Sequence, residues 1–426
     1  MRVLYVPLEF LTWQRAQYWS YPVGLGLEEG FKAAGIECFT LPALCLTSYY
    51  SPETWLDHAR WLCHNRQFDL VWLTVPHARY DRRLLRWLAE LAPVRVGYFV
   101  ESMDPFWGAR QPGFSQRKRR WAQASLPYLT HAVVWDEADV ASLEQRGIPA
   151  LWWPGHVPAQ FIHTARPANV NPAALFFGAV YGERARYLDH PILSKLLVRP
   201  SHSLEHDTRY PQLFDELNGE IRQRLALSHR WDLHLLRSRL ERKIWWWLRH
   251  PFRTTEEAHR RGGPQRLGTP QQGADSVLLE SYLDQLRLCR RKCFQLWLDT
   301  LAQGLAIVNL PQSGSGRSGR VFEAMAVGRP VLVHRAPNRP QADELFEPGR
   351  EILMFESPEE LAGQIRLLQR DPDRCQQLAG QARQKLLQFH TTEHRVHQFV
   401  QWMTTGEGKA PASKRTEVVW DNSLRT

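Results

Sequence analysis

Cysteine is scarce in this chain of 426 residues. Cys38, Cys45, Cys63, Cys289, Cys293 and Cys375 lack the paired spacing of a metal site and are too few for a disulfide scaffold, so the expectation is a reduced, cytosolic protein. Long apolar runs are missing too: none approaches the roughly 18 residues that cross a bilayer. The opening Met1-Arg2-Val3-Leu4-Tyr5-Val6 is interrupted by Pro7 and Glu9 too early for a signal peptide. Proline (28) and glycine (26) stay at ordinary levels and charged residues make up 23%, which excludes a mainly disordered or collagen-like chain.

What is present is a long, basic chain. At about 150 residues per domain the length predicts two or three units, each large enough to bury a core. Its 54 Lys and Arg against 44 Asp and Glu leave a net charge of +10, which points towards anionic partners: phosphates, nucleic acid or an acidic membrane surface.

Apolar segments alternate with helical patterns in two blocks. In the first, strands are expected at Arg2-Val6, Ile36-Leu41, Phe68-Val75, Val94-Val100 and Ala132-Trp135, with a glycine-ended helix from Gly24 to Gly35. Several are apolar on both faces, the mark of a parallel sheet covered by helices in a doubly wound domain. The pattern restarts at Ala174-Gly178 and resumes at Leu305-Leu310, Pro330-Val333 and Ile352-Phe355. Three helices close it, at 358–368, 372–389 and 391–403, the last with Thr391 as its N-cap. The expected organisation is a domain over 1–160, a second over 161–404, and a mobile polar tail over 405–426.

Residues 187–272 fit neither block. Leu233, Leu236, Leu240, Ile244, Trp247 and Leu248 recur at helical intervals, so this part reads as a helical insertion in the second domain. Within it, residues 237–253 set Trp245-Trp246-Trp247 among Arg237, Arg239, Arg242, Lys243, Arg249 and Arg253. That composition suits two situations: a helix lying on anionic lipid, or a buried helix whose arginine stems snorkel outwards. The basic cluster Gln116-Arg117-Lys118-Arg119-Arg120 reads as a solvated helix turn.

The strongest local signal is Ser318-Gly319-Arg320-Val321-Phe322-Glu323-Ala324-Met325-Ala326-Val327-Gly328-Arg329-Pro330. Small residues open a short helix, Gly328 suits its C′ position and Pro330 ends it. Such a start offers backbone N–H groups and a positive dipole end to an anion, and Arg317 and Arg320 add charge. Arg320 and Glu323 share a face, and helical side chains lean towards the N-terminus, so Glu323 aims at whatever lies beyond the cap. There a carboxylate can accept hydrogen bonds from vicinal ribose hydroxyls. An exposed Arg–Glu pair on an ordinary helix is the other reading of the same spacing.

The segment from Gly316 to His394 resembles the C-terminal domain of GT-B glycosyltransferases, most closely the spore-maturation (CgeB-like) group. The resemblance rests on Arg320-Val321-Phe322-Glu323-Ala324, then Gly328, Phe346-Glu347-Pro348-Gly349, Asp371-Pro372 and His390-Thr391. Upstream, Phe177-Gly178-Ala179-Val180-Tyr181-Gly182-Glu183-Arg184 is similar to the first loop of that domain. The resemblance implies two Rossmann-like domains facing across a cleft and a metal-independent, hexosyltransferase-type enzyme using a UDP- or GDP-sugar, with no cofactor. Glu323 would bind the ribose and Arg320 with Arg184 the diphosphate, with Gly178, Tyr181, Arg317 and Gly319 completing the nucleotide-sugar site. The acceptor would be a glycan, a lipid-linked species or a protein, not a nucleic acid. The place would be the cytoplasm, with the inner face of the membrane reached through residues 237–253. Many retaining relatives carry a second Glu eight positions before the ribose-binding one; here Ser315 stands there, which leaves the donor sugar and the anomeric outcome unassigned. An inactive nucleotide- or glycan-binding protein is the alternative.

Catalytic groups are expected from the first domain, at the carboxyl ends of its strands. His77 follows one strand, and Glu101 and Asp104 follow another, each able to contact the sugar or take an acceptor proton; each also suits a cap or turn. His156, near the expected hinge, reads as structural. Asp371-Pro372-Asp373 has an Asp-x-Asp form but sits between amphipathic helices, so a linking turn is expected. Gly24-Leu25-Gly26 lies too far beyond the first strand for a dinucleotide fingerprint.

Overall fold

The computed structural model describes residues 1–7, 9–11, 18–20, 25–41, 55–75, 80–103, 113–162, 171–178, 180, 182–200, 284, 287, 291, 294–311, 318–335 and 339–406. Residues 407–426 of the expected tail, most of the expected insertion including residues 237–253, and Cys289 and Cys293 lie outside them.

Two parallel sheets organise the chain. The first contains β1 (Arg2–Val6), β4 (Glu37–Thr40), β5 (Leu70–Val75), β6 (Val94–Phe99), β7 (His131–Val134) and β8 (Ala150–Trp152) in the order β4-β1-β5-β6-β7-β8. A small antiparallel hairpin of β2 (Glu9–Leu11) and β3 (Tyr18–Ser20) follows β1. The second sheet contains β9 (Ala174–Leu175), β10 (Leu197–Val198), β11 (Ile307–Asn309), β12 (Val331–His334) and β13 (Leu353–Phe355) in the order β10-β9-β11-β12-β13. β5 is buried at every position, as a central parallel strand covered on both faces must be.

Helices α1 (Leu27–Ala33), α2 (Trp55–Leu62), α3 (Arg82–Leu91), α4 (Gly113–Ser125) and α5 (Glu137–Glu144) connect the first sheet. Helices α6 (Arg184–Leu188), α7 (Gly319–Ala326), α8 (Pro340–Glu344), α9 (Pro358–Arg370), α10 (Pro372–Phe389) and α11 (Thr392–Thr405) belong to the second half, with residues 294–301 also helical. Their starts follow capping chemistry: Asp81, Asp136, Ser357, Asp371 and Thr391 each accept a first-turn backbone N–H. Asp371 links α9 to α10, so Asp371-Pro372-Asp373 is the helix-joining turn expected of it. Arg119 and Arg120 are exposed on α4.

Two features depart from the expected organisation. The second sheet does not pause at Tyr187, because Leu197–Val198 returns as its edge strand beside β9; two residues are too short for a periodicity to register. The final helix, assigned by sequence to the second domain, packs on the first. Phe399 meets Trp72 edge-on with centroids 4.9 Å apart, and a Cβ on Gly30 of α1 would stand 2.9 Å from Val396 Cγ2. Glycine at position 30 is what lets the two helices approach.

The connection between the sheets runs through Trp153-Pro154-Gly155-His156. His156 is buried, with Nε2 3.1 Å from Tyr98 Oη and Nδ1 2.7 Å from Thr392 Oγ1. It ties the first sheet to the start of α11, the structural role its position suggested.

Candidate functional site

The site assembles where loops leave the carboxyl ends of β9 and β11 and where α7 begins. After β9 the chain runs Phe176-Phe177-Gly178, and α6 then presents Arg184, only 5% exposed. Its Nε donates to Pro311 O at 2.7 Å, bridging the loop after β9 to the loop after β11. Arg320, on the first turn of α7, donates through Nη1 to Phe177 O. A Cβ placed on Gly178 would lie 3.2 Å from Arg184 Nη1 and 3.4 Å from Arg320 Nη1. Two guanidinium groups therefore abut one point that only glycine leaves open, and converging like charges are what an anion requires.

Ser318, the N-cap of α7, is extended but does not cap the helix with its side chain; its hydroxyl donates to Asn309 Oδ1 at 2.8 Å at the end of β11. The positive end of α7 thus lies at this junction without a side-chain cap from Ser318. Trp135, the residue after β7, approaches the same spot: a Cβ on Gly319 would sit 3.3 Å from its Cη2. Its indole Nε1 donates to Tyr98 Oη at 2.7 Å. A first-sheet side chain reaching Gly319 places the helix start where the two sheets meet.

Glu323, one turn into α7, is 6% exposed. Its Oε2 accepts from Trp297 Nε1 at 2.8 Å, and its Oε1 lies 3.5 Å from where a Gly319 Cβ would stand. Burial pushes its carboxyl pKa up, against the opposing pull of the Arg320 charge and the Trp297 hydrogen bond. The Trp297 ring packs edge-on against Phe177, with centroids 4.9 Å apart, and has the Arg320 guanidinium carbon 5.8 Å from its centre.

The structure thus brings together Gly178, Arg184, Gly319, Arg320 and Glu323 from two segments separated by more than a hundred positions. Tyr181, Arg317 and Ser315 lie outside the described residues, as do His77 and Asp104. Glu101 is half-buried beyond β6, on a loop whose next residues Ser102 and Met103 donate to Asp139 of α5. Trp135 and Trp297 were missed from sequence. One of 18 tryptophans carries no local signal, although Phe294, Trp297, Leu298 and Leu301 fall on one helical stripe.

The two halves are also clasped directly. Arg339 pairs with Asp136 between side chains that are 8% and 0% exposed, with Nη2 3.0 Å from Oδ2. Glu137 accepts from the backbone N–H groups of Gln341 and Ala342 at 3.2 and 2.5 Å. Burial raises the Glu137 carboxyl pKa, and these backbone donors oppose it. Among the described residues, no three His, Cys, Asp or Glu side chains gather as a metal-binding group, and no helix is long and apolar enough to cross a membrane.

Comparison with known proteins agrees with this layout. Residues 295–401 match a family described as glycosyl transferase-like. The sucrose-phosphate synthase of Thermosynechococcus elongatus aligns with 95% of this chain and 98% of its own at 12% identity, with a TM-score of 0.51. HepE from Anabaena, crystallised with UDP-glucose, aligns over 95% of this chain and 100% of its own at 13% identity and a TM-score of 0.46. TarM aligns over 81% of this chain at 11% identity and a TM-score of 0.44, and the alignment spans only 57% of TarM. No curated protein sequence matches. The chain has the two-domain GT-B fold, and its residues 295–401 carry a glycosyl transferase-like segment that includes Arg320, Glu323 and Trp297.

Proposed function

We propose that this protein is a glycosyltransferase that moves a hexosyl group from a nucleotide sugar to an acceptor held by the first domain. The observation that carries the reading is the meeting of Arg184 and Arg320 at Gly178, before the start of α7 and one turn from Glu323. Diphosphate oxygens would take the backbone N–H groups of α7 and the two guanidinium groups, and the ribose hydroxyls would donate to Glu323. As the glycosidic bond breaks, negative charge grows on the departing diphosphate, where those donors are already oriented. Closure of the cleft excludes water and aligns the acceptor hydroxyl with the anomeric carbon. Leaving-group charge is assigned to these donors rather than to a metal. His77, Glu101 and Asp104 are the proposed first-domain groups for the acceptor proton. Kinship with the CgeB-like group, a UDP- or GDP-linked donor, a glycan, lipid-linked or protein acceptor, and a cytoplasmic site with residues 237–253 at the membrane belong to the same proposal.

The test is calorimetric titration of the purified protein with uridine, guanosine and adenosine diphosphates and their sugar conjugates. One conjugate should bind with base discrimination, and Arg320→Glu and Glu323→Gln should each weaken it at least tenfold, about 1.4 kcal/mol. Unchanged affinity in both variants overturns the proposal. Binding without donor hydrolysis or transfer would instead support the inactive binding protein, the reading that Ser315 favours.

A further inference from the structure

We infer that Trp297 is the positioning residue of the donor site, fixing the Glu323 carboxylate so that one oxygen is turned towards the Gly319 end of α7 for a ribose hydroxyl. This rests on the donor-site reading above and deepens it. The geometry is two-sided. Oε2 of Glu323 is held by the indole N–H at 2.8 Å, and Oε1 stands at the Gly319 end of α7, where a ligand would enter.

A carboxylate at the end of a Glu side chain turns about a broad, roughly two-fold torsion, so nothing local sets that orientation. Arg320 lies three positions earlier on the same helix face, where an acid and a base ordinarily reach for each other. Released from the indole, Glu323 can swing onto Arg320. That would take the acceptor oxygen away from the ribose. Trp297 is itself fixed. Its neighbours Phe294, Leu298 and Leu301 are buried in the second-domain core, and its ring abuts Phe177.

The decisive variant is Trp297→Phe, which keeps a ring and removes the donor, tested by calorimetry with UDP, GDP and inorganic pyrophosphate. The expected result is about a tenfold loss of nucleotide affinity, the usual scale for a hydrogen bond to a charged group. Pyrophosphate, which has no ribose, should lose less. Glu323 loses one of the contacts that favour its ionised form, so the acid limb of nucleotide binding should move to higher pH. In a Glu323→Gln background the second substitution should add little. Replacing Trp297 with β-(3-benzothienyl)alanine, which puts sulfur in place of N–H at unchanged shape, should reproduce the loss if the phenylalanine variant folds poorly.

An equal loss for pyrophosphate and nucleotide would mark a merely structural role and overturn the inference. So would a weakened Glu323→Gln beside a Trp297→Phe protein of unaltered affinity and pH profile, a result that leaves the donor site standing. If Glu323→Gln itself has no effect, the donor-site reading falls first and this inference with it.

Discussion

Gly155 offers a quantitative test of how the interdomain connection controls α7. A Cβ built there would lie 2.5 Å from Phe322 Cδ2 and 2.6 Å from Cε2. Carbon atoms prefer about 3.5–4.0 Å, so Gly155→Ala demands a shift of roughly 1 Å. The Phe322 ring cannot escape to solvent: it is fully buried, with Phe346 and His390 centroids at 5.6 and 5.7 Å. The displacement must therefore pass into α7, which carries Gly319, Arg320 and Glu323. Overpacking of this kind costs about 1–3 kcal/mol, and each kcal/mol moves the melting temperature of a unit this size by about 2–4 °C. Scanning fluorimetry should thus show a loss of roughly 2–12 °C, and calorimetry a weaker nucleotide complex. Adding Phe322→Leu makes room for the methyl group, so the double variant should be more stable than the two single effects predict, by about 0.5 kcal/mol or more. An unaltered melting temperature for Gly155→Ala, or strict additivity in the pair, refutes the reasoning.

Other expectations follow from the same contacts. Arg339→Met strands the buried Asp136 carboxylate and should cost about 3–5 kcal/mol, while adding Asp136→Asn, which can still cap α5, should recover much of it in chemical denaturation. Gly178→Ala inserts a methyl group 2.8 Å from Phe176 Cζ and beside the two guanidinium groups; nucleotide affinity should fall about tenfold, measured by calorimetry. Burial and the nearby Arg395 charge hold His394 down to about 4 and His390 well below the ordinary histidine range. The unfolded chain therefore binds more protons than the folded one below about pH 6.5, so stability should decline as pH falls from 6.5 towards 4. Calorimetric scans should show that decline, with a shallower slope in His390→Phe; a flat profile would contradict it.

Long apolar runs made the central strands legible. Leu70-Val75 and Val96-Val100 are buried on both faces, which leaves no polar alternation to confuse them, and Thr391 announced its helix by capping chemistry. The edge strands β8 and β10 span three and two residues and gave no pattern to read. At the site, the small-residue start of α7 and the Arg320–Glu323 spacing were visible because they are local. Trp135 and Trp297 were not, because their roles come from hydrogen bonds and ring contacts across the fold. The bond from Trp297 to Glu323 spans 26 positions, and no local periodicity encodes it.

The return of α11 to the first sheet has a consequence for biosynthesis. Val396, Phe399 and Trp402 complete the same apolar cluster as Val3, Tyr5 and Trp72. A nascent chain emerging from the ribosome therefore carries an unfinished greasy face on its leading half while residues 153–391 are still being added. At ordinary elongation rates that exposure lasts on the order of 10–50 s, an interval in which a chaperone can bind and a stalled or prematurely terminated product will aggregate.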